Sequence, residues 1–233
     1  MKKRRIVCFG DSLTWGYDPD KRVRFPEEIR WPMVLQGLLG EQYTVIEEGQ
    51  NGRTIATDDP AEGEKNGLNY IIPCLESHKP FDLLIIMLGS NDCKRKFSYS
   101  SMDIAGEMQR FLEKVQSFNR YRCEDGFKVL LVSPPHISEA IKTSWLGDSF
   151  GYENAHKVSL ELADWYKQLA DMYSCAFFDA AEHVRVSDTD GCHMDAENQR
   201  ALGNEIYQRV MELFKGDRKR RLPDTMIAGG RRI

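Results

Sequence analysis

Short, continuously apolar runs punctuate this chain, and each is closed by a glycine, a proline or a polar turn. Arg5-Ile-Val-Cys-Phe9 stops at Gly10, Tyr43 to Ile46 ends near Gly49, and Asp82-Leu-Leu-Ile-Ile-Met-Leu88 stops at Gly89. Lys128-Val-Leu-Leu-Val132 meets the Pro134-Pro135 pair, and Ala176-Phe-Phe178 is the last of the set. Apolar runs of this length without polar alternation predict strands buried on both faces. Between them, apolar positions recur at helical spacing. Helices are predicted over Trp31 to Leu39, Leu68 to Leu75 (kinked or restarted at Pro73) and Ile104 to about Phe118 capped by Asp103. Two more follow, a long one over Glu153 to Tyr173 and a last one over Ala196 to Phe214.

Strand and helix thus alternate, which predicts an α/β fold: a three-layer, doubly wound, parallel five-stranded sheet, flavodoxin-like, in the order 2-1-3-4-5. One domain is expected over residues 1–215, with a basic tail at 216–233. Two connections, Tyr17 to Arg30 and His136 to Gly151, are long for this architecture, and long connections in compact domains are often functional.

Composition narrows the function classes. The chain has 233 residues, 41% hydrophobic, and a formal net charge of -4, so nucleic acid is not an expected partner. The tail is locally basic (Arg218-Lys-Arg-Arg221, Arg231, Arg232), which reads as a solvated end. No apolar run is long enough to span a bilayer, and the start is too short for a secretory signal. Six cysteines lack metal-ligand spacing, so zinc, a disulfide framework and a cofactor are not expected, and reduced thiols in the cytoplasm are.

In an open parallel sheet, ligands bind beyond the carboxyl ends of the strands. Four polar segments stand there: Gly10-Asp-Ser-Leu-Thr-Trp-Gly16, Gly49-Gln-Asn-Gly-Arg-Thr54, Gly89-Ser-Asn-Asp92 and, before the last helix, Asp190-Gly-Cys-His193. Together they hold the parts of an acyl-transfer site. Ser12 is the candidate nucleophile, His193 the base, and Asp190 the carboxylate that fixes the base's tautomer. The backbone N–H groups of Ser12 and Gly52 and the Asn91 amide are candidate oxyanion donors. Asp11 and Asp92 read as loop-organising carboxylates. Taken alone, Ser12 would pass for a helix cap; beside Asn91 and Asp190-x-x-His193 it does not.

GDSLTWG, Gly52 in EEGQNGRT, GSND and DGCH resemble the four ordered blocks of the SGNH (GDSL-type) hydrolases, spanning Phe9 to Met194. The resemblance implies Ser12 as nucleophile, Gly52 and Asn91 as oxyanion donors, and Asp190 with His193 completing the triad. FGDSLTWGYDP, VIEEGQNGRT and LLIIMLGSND are similar to the arylesterase/acyltransferase branch, which implies short acyl groups, small-molecule aryl or alkyl esters, acyl transfer to alcohols or peroxide, and homo-oligomers. A carbohydrate acetylesterase or thioesterase would use the same triad.

Trp15, Arg53, His136 and Trp145 are expected to line the substrate pocket. For Arg53 a brace within its loop is the stronger expectation, and Phe150 is a further candidate beside Trp145. Two other classes compete. A metal-dependent phosphoesterase would draw on Asp11, Asp92, Asp190 and His193. A phosphate-binding module would need a dense glycine fingerprint that the sequence lacks.

Overall fold

The computed structural model describes residues 3–220. Five strands form one sheet: β1 (Arg4–Gly10), β2 (Tyr43–Gly49), β3 (Leu83–Met87), β4 (Lys128–Ser133) and β5 (Ala176–Asp179). All neighbours pair in parallel, in the order β2-β1-β3-β4-β5, as the alternating pattern predicts.

Side chains of successive strand residues point to opposite faces, and here both faces are covered. Val7, Phe9, Leu84, Ile86 and Leu131 pack with residues of α3 (Gly67–His78), α4 (Ser101–Arg122) and α7 (Leu162–Met172). Ile6, Cys8, Leu83, Ile85, Leu130 and Val132 face α2 (Trp31–Leu39) and α8 (Ala196–Arg220). All five residues of β3 are buried, which is why its sequence shows no alternation. Two short helices lie nearer the sheet's carboxyl end, α1 (Ser12–Trp15) and α5 (Gly147–Phe150).

Three boundaries differ from the sequence expectation. The cap of α4 is Ser100, not Asp103: the Ser100 hydroxyl accepts the Asp103 N–H (3.2 Å), and the Asp103 carboxylate accepts the Ser100 N–H (2.9 Å). This reciprocal capping box starts the helix three residues early. The long helix expected over Glu153 to Tyr173 is broken into α6 (Glu153–Ser159) and α7. Ser159 is buried there, donating to the His156 carbonyl (2.8 Å) and accepting the Ile137 N–H (3.0 Å). A tertiary bond of that kind competes with the helix ladder and is invisible in periodicity. Finally, the backbone of α8 continues to Arg220, past the expected domain end at 215, while 221–233 of the expected tail lie outside the described residues. Pro73 sits inside α3, which runs unbroken through it.

Among the described residues, no helix is long and apolar enough to cross a membrane.

Candidate active site

Ser12 follows β1 directly. Asp11 caps α1, its Oδ1 accepting the Leu13 N–H (2.9 Å), so Ser12 occupies the first helical position. The backbone N–H of that position has no partner within a helix. None of the other described groups accepts it either. The turn after α1 closes at Gly16 and returns the chain with Tyr17 facing the site. Gln199 of α8 braces this corner from beneath, donating to the Leu13 carbonyl (3.0 Å) while accepting the Trp31 N–H (3.0 Å).

The candidate base and its partner come from the loop between β5 and α8. His193 Nε2 lies 2.8 Å from Ser12 Oγ, and His193 Nδ1 lies 2.7 Å from Asp190 Oδ2. Asp190 is fully buried, and its Oδ1 accepts the N–H groups of Cys192 and His193, each at 2.9 Å. Burial raises the Asp190 pKa, but the His193 hydrogen bond and charge, with the two backbone donors, outweigh it. The carboxyl is held below its ordinary value. A charged Asp190 requires a donor at Nδ1, which leaves Nε2 free to accept the Ser12 proton. The Tyr17 ring packs on the imidazole, centroids 4.4 Å apart.

Gly191 makes this loop possible. It has φ +74°, and a Cβ there would stand 2.3 Å from the Ile141 backbone nitrogen. Its carbonyl accepts the Ser138 N–H (2.9 Å), so the triad loop is seated on the segment after β4.

Gly52 and Asn91 complete the constellation. Gly52 (φ +80°) and Asn91 line one cavity with Ser12 and His193, and the Gly52 N–H has no acceptor among the described residues. The Asn91 amide is aimed by the Arg53 carbonyl (3.1 Å) and Asp11 Oδ2 (3.4 Å). Burial above all pushes Asp11 up to about 6, although Leu13, His193, Arg53 and Lys94 each pull it down. Asp92 spends Oδ1 on the Ile55 N–H (3.0 Å), bracing the oxyanion loop. Burial first, then the nearby Glu107 and Asp11 carboxyls, push Asp92 well above the usual carboxylate range. Asp11, Asp92 and Asp190 each accept a backbone N–H, and among the described residues no three of Asp11, Asp92, Asp190 and His193 bring ligand atoms within 4.8 Å of one another. That removes the basis for the metal-dependent phosphoesterase.

The cavity measures about 340 Å³. Beside Ser12, Gly52, Asn91 and His193 it is lined by Tyr17, Asn51, Glu62, Lys94 and Cys192, and by Trp145, Leu146, Ser149 and Phe150 of the segment after β4. Trp145 and Phe150 therefore stand where expected. Three other expected lining residues do not. Trp15 lies outside the cavity lining, with the Arg24 guanidinium 5.3 Å over its ring, and Tyr17, two residues on past the turn at Gly16, lines the cavity instead. Arg53 is buried and donates to the carbonyls of Gly10 (2.9 Å) and Glu48, its guanidinium 4.2 Å over Phe9. It clamps the ends of β1 and β2, so bracing describes it and substrate binding does not. His136 lies outside the cavity lining, near Asp179 at the end of β5, whose carboxyl burial raises above its ordinary value while the Ala181 N–H and His136 offset part of the rise.

Tyr17, Glu62 and Lys94 were missed. Lys94 had one legible signal, since it directly follows the short turn bearing Asn91. Cys192 is inert: burial drives its thiol pKa well up. One cluster of ligand-type side chains exists elsewhere among the described residues, Glu48, Cys74 and His78. Its core is a Glu48–His78 hydrogen bond of 2.6 Å, and none of the three lines the cavity.

With this geometry in place, comparison with known proteins is decisive. Residues 8–201 match the GDSL-like lipase/acylhydrolase family. The chain belongs to that family. The structure is similar to a carbohydrate acetylesterase from Sinorhizobium meliloti (38% identity, TM-score 0.84, covering 91% of this chain and 100% of that one). It is equally similar to an aryl esterase from M. smegmatis (38% identity, TM-score 0.84, covering 90% and 99%). An acetylxylan esterase of Xylanibacter ruminicola is 26% identical over 228 residues, covering 88% of this chain. The chain spans only 43% of the length of that curated relative. All four polar segments of this GDSL-like chain, the three that end strands and the one before α8, fall within the matched residues.

Proposed function

We propose that this protein is a serine esterase that hydrolyses short-chain carboxylic esters through an acyl-serine intermediate. The observation that carries the reading is the continuous chain Asp190–His193–Ser12, with bonds of 2.7 and 2.8 Å, opening on a cavity with unpaired backbone donors.

The chemistry follows from that chain. Ser12 Oγ attacks the ester carbonyl as His193 Nε2 takes its proton. The oxyanion is met by the N–H groups of Ser12 and Gly52 and by the Asn91 amide, which turns to it the N–H held only by a long bond to Asp11 Oδ2 (3.4 Å). The imidazolium, stabilised by Asp190, protonates the departing alcohol. Water enters, gives its proton to His193 and attacks the acyl-serine carbonyl; the second tetrahedral species collapses to free acid and restores Ser12.

The test is hydrolysis of p-nitrophenyl acetate, butyrate and octanoate by the wild type and Ser12→Ala. Acetate turnover that falls with chain length and disappears in Ser12→Ala is the expected result. Activity that survives in Ser12→Ala overturns the mechanism, and preference for octanoate overturns the short-acyl assignment.

A second reading, deacetylation of a carbohydrate, is favoured by one observation: beyond the triad and oxyanion groups, the cavity is lined by the polar or charged side chains of Asn51, Glu62, Lys94 and Ser149. The names of two of the relatives point the same way. As for compartment, we propose the cytoplasm, in keeping with six cysteines that all stand as free thiols.

A further inference from the structure

The cavity contains a buried charge that the catalytic cycle does not use. Lys94 is 5% exposed, and its ammonium pairs with Glu62 Oε1. An ammonium carries three N–H donors, and burial makes unfilled ones costly. Among the described residues, Glu62 is the only acceptor on Lys94, so two donors are left over on a side chain that lines the cavity.

Glu62 is itself placed against the oxyanion loop. A Cβ on Gly52 would lie 2.1 Å from Glu62 Oε2, and the Lys96 ammonium stands 3.8 Å from Oε1. The cavity wall next to the oxyanion donors therefore presents a cation and a carboxylate side by side. A hydroxyl group both accepts and donates, so it satisfies such a pair, whereas an unsubstituted aryl ring satisfies neither member.

We propose that Lys94 is a specificity-determining residue, its ammonium binding a hydroxyl or ring oxygen on the alcohol side of the ester while Glu62 accepts from a neighbouring hydroxyl. The preferred substrate is then the acetyl ester of a polyhydroxylated alcohol, a sugar above all. The inference rests on the esterase reading and narrows its substrate class.

The experiment compares kcat/KM for a mono-O-acetylated methyl glycoside with kcat/KM for phenyl acetate, whose leaving group offers no further oxygen. Wild type, Lys94→Met, Lys94→Arg and Lys94→Gln are measured. In Lys94→Met the sugar-to-phenyl ratio is expected to fall at least tenfold, mainly through KM for the sugar ester, with Lys94→Arg restoring part of it. A ratio unchanged in Lys94→Met, or an equal loss on both substrates, overturns the proposal and makes Lys94 a structural residue. Should Lys94→Met not fold, Lys94→Gln carries the test, with an intermediate ratio expected and an unchanged one refuting. Failure of the esterase reading looks different: wild type that hydrolyses neither ester, or Ser12→Ala that hydrolyses both.

Discussion

Asp190→Asn isolates the orientation of the base, and the structure sets the size of its effect. Asp190 Oδ1 serves two backbone N–H groups at 2.9 Å each, and Oδ2 faces His193 Nδ1 at 2.7 Å. An asparagine must keep its oxygen on the two backbone donors, because its NH2 cannot accept from them. The amide nitrogen then faces Nδ1. Two donors cannot meet at that distance, so the imidazole takes the other tautomer, with its proton on Nε2. Ser12 Oγ, 2.8 Å away, then finds a donor where it needs an acceptor. The fold survives, since every backbone bond of the loop is retained, but the base is lost. A wrong-tautomer defect of this kind costs about 10⁴ in kcat. That corresponds to about 5 kcal/mol in barrier height. The assay is kcat on p-nitrophenyl acetate between pH 6 and 9, with thermal melting to show that the variant is folded. A folded Asp190→Asn that loses less than tenfold would refute the reasoning and leave Tyr17, packed on the ring, as the group that orients His193.

Asn91→Ala is expected to lower kcat by about 10²–10³ with KM nearly unchanged, since the amide meets charge that develops after binding; single-substrate kinetics check this, and a KM-only effect contradicts it. Burial raises Asp11 to about 6, so the folded protein binds that proton more tightly than the unfolded chain, and the charged form disfavours folding above that pH. The wild type should accordingly lose about 1 kcal/mol relative to Asp11→Asn between pH 5 and 8. Urea unfolding at both pH values measures it, and parallel pH dependence of the two proteins counts against the assignment. Gln199→Ala removes two buried hydrogen bonds and strands the Leu13 carbonyl and Trp31 N–H, which should destabilise the protein by about 2–4 kcal/mol. A loss below about 1 kcal/mol in chemical denaturation would mean water replaces both bonds.

The strands were legible because burial on both faces leaves a signature in composition alone. β3 reads as LLIIM, and its length and its close at Gly89 suit a covered parallel strand better than a buried helix. The reactive groups were legible for a related reason: a parallel sheet gathers the residues after its strands at one end, so Ser12, Gly52 and Asn91 could be placed without coordinates. What failed was set by tertiary contacts. Ser159 breaks a helix by bonding Ile137, 22 positions away. Arg53 reads from the sequence as a pocket residue with a bracing role as the stronger expectation, and bracing is what the fold shows: its Nη1 meets two main-chain carbonyls and its Nε meets Gln50. Lys94 and Glu62 look like ordinary surface charges, and only the folded cavity shows that one of them is buried.

The two sets of residues are also not mechanically independent. The segment after β4 supplies Leu146, Ser149 and Phe150 to the cavity wall, and the same segment carries Ser138 and Ile141, against which Gly191 is packed. Gly191 lies between Asp190 and His193 in the triad loop, and the Ile141 backbone occupies the space that a Cβ at Gly191 would need, so a side chain at Gly191 would have to displace the triad loop or the segment after β4. Substitutions at the rim, such as Trp145 with half its surface exposed, can change the substrate without touching the base. Substitutions at Ile141 cannot, because it is fully buried and its backbone abuts Gly191. Selectivity in this scaffold is therefore free to vary at the mouth of the cavity and tied to catalytic rate behind the triad loop, where Ile141 packs.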